Sequence, residues 1–223
     1  MRRWLRFSDG VLRAAPACVS GHMRGRLLAL ASVMLAFGLI YGGLMGTFGG
    51  VTPDRLPQIV FSAVKVPMLL GITFALSLPS FFVVNTLFGL RDDFGRVVRA
   101  LVATQAGLTI VLAALGPLTA FWYLSVPDYA LAKIFNGLMF LTASVAGQVQ
   151  LARHYRPLIA HHPTHRWTMR MWVLIYAFVG IQLAWTLRPF IGAADLETTF
   201  FRQDAWTNAY VEVARLVWSL VGG

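Results

Sequence analysis

Charge is what this sequence has least of. Asp, Glu, Lys and Arg make up 13% of its 223 residues, and only nine are acids, whereas a soluble domain carries about a quarter. With 57% hydrophobic residues and a mean hydropathy of +0.66, this scarcity excludes a water-soluble domain of this size. Cysteine is nearly absent as well. Cys18 stands alone, so no disulfide forms within the sequence, and it reads as a plain thiol rather than an acylation site. The first residues put Arg2 and Arg3 before apolar ones, but no apolar run long enough for a secretory leader precedes Arg13.

What is abundant is apolar sequence in long blocks. A bilayer core ~30 Å thick needs about 20 apolar residues per helix, and five stretches qualify: 27–48, 66–90, 98–124, 130–152 and 169–188. The predicted fold class is all-α, a polytopic transmembrane bundle of five spans with amphipathic interfacial helices at both ends. Three regions follow: a basic amphipathic segment over 1–26, a five-span domain over 27–190, and a polar segment with an amphipathic C-terminal helix over 191–223.

The few charges are unevenly placed. Arg2, Arg3, Arg6, Arg13, Arg24 and Arg26 precede the first block, Arg91, Arg96 and Arg99 fill the second gap, and Arg153, Arg156, Arg166 and Arg170 fill the fourth. These thirteen cations face only Asp9, Asp92 and Asp93, so one side of the bundle holds the entire formal charge of +10. On the other side six cations, including Arg55, Lys65, Lys133 and Arg188, balance six acids. Cytoplasmic loops retain Lys and Arg, which predicts a cytoplasmic N terminus in a bacterial inner membrane. The basic character then needs no nucleic acid, because cations near an anionic leaflet gain about 1 kcal/mol each. Trp4, Phe7, Val11 and Leu12, fringed by arginines, suit a short helix lying in that interface.

Inside the spans, small and polar residues carry the signal. Gly38, Gly42, Gly46 and Gly50 recur every fourth residue and predict a smooth stripe for close helix packing, with a helix of the same chain or of another subunit. The pairs Ala103 with Gly107, Ala143 with Gly147 and Gly180 with Ala184 extend that theme. Pro67 falls in the first turn of the second block and Pro79 in its interior, where proline bends a helix. Ser77 and Ser80 flank Pro79, and their hydroxyls are expected to satisfy the freed carbonyls. Pro117 reads likewise in the third block. Asn85, Gln105, Asn136, Gln148 and Gln182, together with several Thr and Ser, are the polar side chains at depth. Of these, Asn85, Gln105, Asn136 and Gln182 are read as interhelical hydrogen-bonding residues or, with Pro79, as the lining of a polar pathway.

No ionisable residue is expected at depth, and this argues against chemistry within the bilayer. His154, His161, His162 and His165 all fall in the fourth gap, but Pro163 interrupts them and no carboxylate or cysteine joins them there. A zinc site is therefore not expected, and no cofactor is. Beyond residue 205, Trp206, Tyr210, Val213, Val217 and Leu220 follow helical spacing, with Glu212 and Arg215 mid-way. That helix is read as interfacial. Were it a sixth span, those two charges would lie near the midplane.

The stretch from Asn85 to Gln105, NTLFGLRDDFGRVVRALVATQ, resembles the inter-span loop of Yip1-like five-span membrane proteins. The resemblance implies a five-span plan and a non-enzymatic role of the trafficking-adaptor kind, although this chain lacks that family's long cytosolic N-terminal domain and adds a polar tail. The leading functional expectation is a non-enzymatic structural, assembly or scaffold subunit of a membrane complex, its partners being anionic lipids and other subunits or a second copy. Two others stand beside it: a channel or transporter subunit using the Pro79-kinked span, and a lipid-active enzyme with His161, His162 or His165 as base.

Overall fold

A computed structural model describes residues 2–13, 23–192, 198–201 and 208–211, and it is helical throughout, with no strand among the described residues. Cys18 and most of the expected C-terminal helix, including Glu212 and Arg215, lie outside them. The helices are α1 (Arg2–Leu12), α2 (Met23–Gly46), α3 (Leu56–Leu87), α4 (Phe94–Ser125), α5 (Tyr129–His161) and α6 (His165–Thr186), with single 3-10 turns at Pro53–Arg55 and Arg91–Asp93. Helices α2 to α6 are each long and apolar enough to cross a membrane. The ends of α2, α4 and α6 bearing the fewest cations lie together, and we call them the far end, opposite the basic end.

Several helices run on past their apolar blocks, and three of these boundaries bear on the site. Helix α3 begins at Leu56 rather than near 66, so Pro67 is interior and Lys65 belongs to the span. Helix α5 continues to His161 and α6 starts at His165. The fourth gap thus shrinks to 162–164, and His154 and His161 sit on α5. At about 1.5 Å per residue, the 33 residues of α5 reach roughly 50 Å, well beyond a ~30 Å bilayer core. That length is enough for its last turns, with Arg153 and Arg156, to extend past such a core.

The spans form an arc. Helix α3 packs on α2 and α6, and α4 packs on α2 and α5, which gives the order α6–α3–α2–α4–α5. Consecutive α5 and α6 touch only sparsely, so the arc is open between them. Helix α4 sits deepest, with 67% of its most apolar window buried against 11% for α6. Helix α1 docks on α4, where Val11 joins Leu30, Val33, Ala103 and Ala106 in a buried cluster. Gln150 on α5 donates to the carbonyls of Val11 and Leu12 at 3.3 and 3.1 Å, satisfying carbonyls that the end of a helix leaves without partners.

The glycine stripe is filled by the chain itself. A Cβ on Gly42 would meet Ala63 Cα at 2.8 Å and collide with the Ser62 carbonyl, one on Gly46 would lie 2.7 Å from Ile59 Cα, and one on Gly38 would press Pro67 at 3.3 Å. The backbones of α2 and α3 are in direct contact along this row. Gly50 is not part of it: α2 ends at Gly46, and Gly50 follows in a turn with φ of 100° and nothing within 4 Å of its Cβ position. The periodic spacing outruns the helix by one residue in four.

Candidate functional site: a lateral groove and the polar ties around it

On α5, Lys133, Gly137, Leu141, Ser144, Gln148 and Leu151 recur three or four residues apart and so share one face. On α6 the facing row is Trp172, Tyr176, Gly180 and Ala184. These rows form the walls of a cavity of about 760 Å³, floored by Leu70 and Thr73 of α3 and by Gln105 and Leu108 of α4. Its edges are exposed: Leu141 retains 59% of its surface and Ile181 53%. The mouth therefore opens sideways between α5 and α6. At the basic end Phe81, Tyr155, Leu158 and Trp172 close it as one buried cluster. At the far end Phe190 and Ile191 cover it.

That far-end cover is a strap, residues 188–192, held by side chains in place of secondary structure. Lys65 Nζ donates to the Pro189 carbonyl at 2.7 Å, Gln58 and Ser62 donate to the Phe190 carbonyl, Tyr129 Oη donates to Ile191 at 3.0 Å, and Arg55 donates to Gly192 at 2.9 Å. Four consecutive carbonyls thus find donors, which backbone outside a helix requires when it is removed from water. Arg55, Gln58, Ser62 and Lys65 are spaced three, four and three apart, so one face of α3 together with the turn that leads into it supplies four of the five. Lys65 is fully buried, and its ammonium lies 4.8 Å from the centre of the Phe200 ring. The expectation that no ionisable residue enters a span is corrected here. A buried ammonium is tolerated because a carbonyl and an aromatic face receive it.

The predicted polar residues separate into different places. Asn136 is buried and joins three helices: its carbonyl accepts from Tyr41 Oη at 3.2 Å, and its amide donates to Tyr123 Oη at 2.6 Å. Gln105 accepts from Tyr176 Oη at 3.0 Å, tying α4 to α6 across the groove floor. Both line the cavity. Gln182 instead accepts from the amide of Ala209 at 2.9 Å, and beside it the Tyr210 ring stacks on Phe178 at 4.7 Å, so residues 208–211 lie along α6. Asn85 is buried with its amide on the Phe81 carbonyl at 2.9 Å and its own carbonyl unpartnered. Pro79 is exposed and lines no part of the cavity. Neither flanking hydroxyl serves it, since Ser77 Oγ is buried without a partner and Ser80 makes no hydrogen bond among the described residues.

One pairing was invisible in the sequence. His165 Nε2 lies 3.2 Å from Asp93, which also meets Arg96 at 3.2 Å. Asp93 and His165 come from different gaps, 72 residues apart, and no local spacing could have joined them. His165 is fully buried, so it staples the two turns together at the basic end and presents no face to a substrate. Among the described residues no three His, Cys, Asp or Glu side chains gather as a metal site. No family model, curated protein or solved structure matches the chain.

Proposed function

We propose that this is a non-enzymatic integral membrane protein that serves as a structural, assembly or scaffold subunit of a membrane complex. It sits in a bacterial cytoplasmic membrane with its N terminus and basic end in the cytoplasm, where the arginines meet anionic lipid. The observation that carries this reading is the use of the polar groups in the spans: Asn136, Gln105 and Lys65 each tie one helix to another element of the same chain. The bundle is braced as a frame. The likeness of residues 85–105 to Yip1-like proteins points the same way. Because α3 fills the glycine stripe, contact with another subunit or a second copy runs through the outer faces of α5 and α6, where Leu138 is 50% and Leu174 61% exposed. A photocrosslinking residue at either position in native membranes is expected to yield one discrete protein adduct. Recovery of a monomer bearing lipid adducts alone would overturn the reading.

A second reading, a channel or transporter subunit for a small solute or ion, is favoured by one observation: Gln105 and Asn136 both line the cavity. Its pathway would follow α4 and α5, since Pro79 faces outward. Flux in proteoliposomes that survives Asn136→Leu unchanged removes it.

A further inference from the structure

The geometry points to the groove between α5 and α6 as a binding site for an anionic phospholipid, with the headgroup at Lys133 and one acyl chain laid along the floor. This goes beyond the scaffold reading and does not depend on it. Shape comes first. The arc is open at one place, both ends of the opening are closed by packed side chains, and the mouth looks sideways. In a bilayer the entrant therefore comes from the acyl phase and not from water. A transmembrane helix, about 10–12 Å across, would have to pass through the strap or the Tyr155–Trp172 cluster to lie in the groove, whereas a single chain meets no such obstacle. The volume of about 760 Å³ falls within the roughly 300–1,000 Å³ of small-molecule sites. From Lys133 to Ser144 the helix rises about 16 Å, close to half of a ~30 Å hydrocarbon core, which is the depth of one leaflet.

The lining fits the same ligand. Small residues on both walls leave room for it: Gly137 points into open space, with nothing within 4 Å of a Cβ, and Gly180 and Ala184 stand opposite. At the far-end rim Lys133 is exposed with its ammonium 4.7 Å from the centre of the Tyr129 ring, and it makes no ion pair among the described residues. Arg188 lines the same end, and among the described residues no Asp or Glu lines the cavity. A net negative headgroup is favoured there over a zwitterionic one.

Native mass spectrometry of the intact protein, released from nanodiscs holding phosphatidylglycerol and phosphatidylcholine with matched acyl chains, tests the assignment. Wild type is expected to retain one phosphatidylglycerol in preference to phosphatidylcholine. Lys133→Gln is expected to lower that retention about fivefold. Gly137→Phe, whose ring enters the groove, is expected to abolish it, while Leu138→Phe on the outer face leaves it intact. Should Gly137→Phe fail to fold, Ile181→Trp at the opposite edge of the mouth replaces it. Equal retention of the two lipids, unchanged retention on blocking the groove, or unchanged retention in Lys133→Gln would each overturn the proposal.

Discussion

Gly42 and Gly43 are neighbours on α2 with opposite requirements. A methyl on Gly42 would run into the Ser62–Ala63 backbone, while one on Gly43 would make an ordinary contact at 3.9 Å with Ala63 Cβ. Backbone cannot yield as a side-chain tip can, so Gly42→Ala is expected to cost about 1–3 kcal/mol. Gly43→Ala is expected to be neutral or better, because alanine exceeds glycine in helix preference by about 0.8–1 kcal/mol. Thermal unfolding of the two variants in one detergent checks the pair, and equal melting temperatures would refute the packing. At Asn136 the argument is about partners. Asn136→Leu removes the acceptor of the Tyr41 hydroxyl and the amide that donates to Tyr123, whose own hydroxyl keeps the Met45 carbonyl, and hydrogen bonds between membrane helices average about 0.6 kcal/mol with a maximum near 1.7. A double-mutant cycle with Tyr41→Phe should return a coupling in that range. The residue types were legible in advance for a physical reason: a glycine row and a lone amide in an apolar block have few other uses. Gly50 was misread because its spacing continues a helix that its positive φ has already left.

At the level of elements, α3 shows where legibility stops. Charge marks loops in membrane sequences, so Lys65 marks a boundary when the chain is read in one dimension. Its acceptor, the Pro189 carbonyl, lies 124 residues away, and only the folded chain places the two together and brings the ammonium into the bundle. The strap in turn has no periodicity to announce it, since its order comes from donors on α3 and α5. Lys65→Met keeps the length and removes the donor, leaving a carbonyl unsatisfied at a cost of about 1–3 kcal/mol. The strap should loosen. Hydrogen exchange of a peptide covering 187–192 is expected to accelerate in this variant while the Tyr123–Asn136 region keeps its protection. Unchanged exchange in the strap would mean that Gln58, Ser62, Arg55 and Tyr129 suffice without it. The Asp93–His165 pair follows the same rule, as each partner taken alone is an ordinary loop residue.

For the whole molecule, the arc and the charge asymmetry are separate facts with a joint consequence. The up-and-down run of the spans brings α1 and the turns at 91–93 and 162–164 to one end, the end to which the sequence assigns its thirteen clustered cations, against balanced charge in the sequence of the strap end. Carrying one cation outward against a membrane potential costs about 2.3 kcal/mol per 100 mV, and the inverted arrangement would expose the whole excess of +10 to that cost. One orientation should therefore dominate strongly. Asp54 and Asp92 are both exposed, at the far and basic ends respectively, and make suitable reporters once Cys18→Ser removes the native thiol. In intact cells Asp54→Cys is expected to react with a membrane-impermeant maleimide, whereas Asp92→Cys should react only after permeabilisation. Labelling of both sites in intact cells would indicate a dual-topology protein, and the reverse pattern would refute the orientation. Either result would leave the arc standing, because its packing rests on glycine contacts and hydrogen bonds that do not depend on which compartment the arginines face.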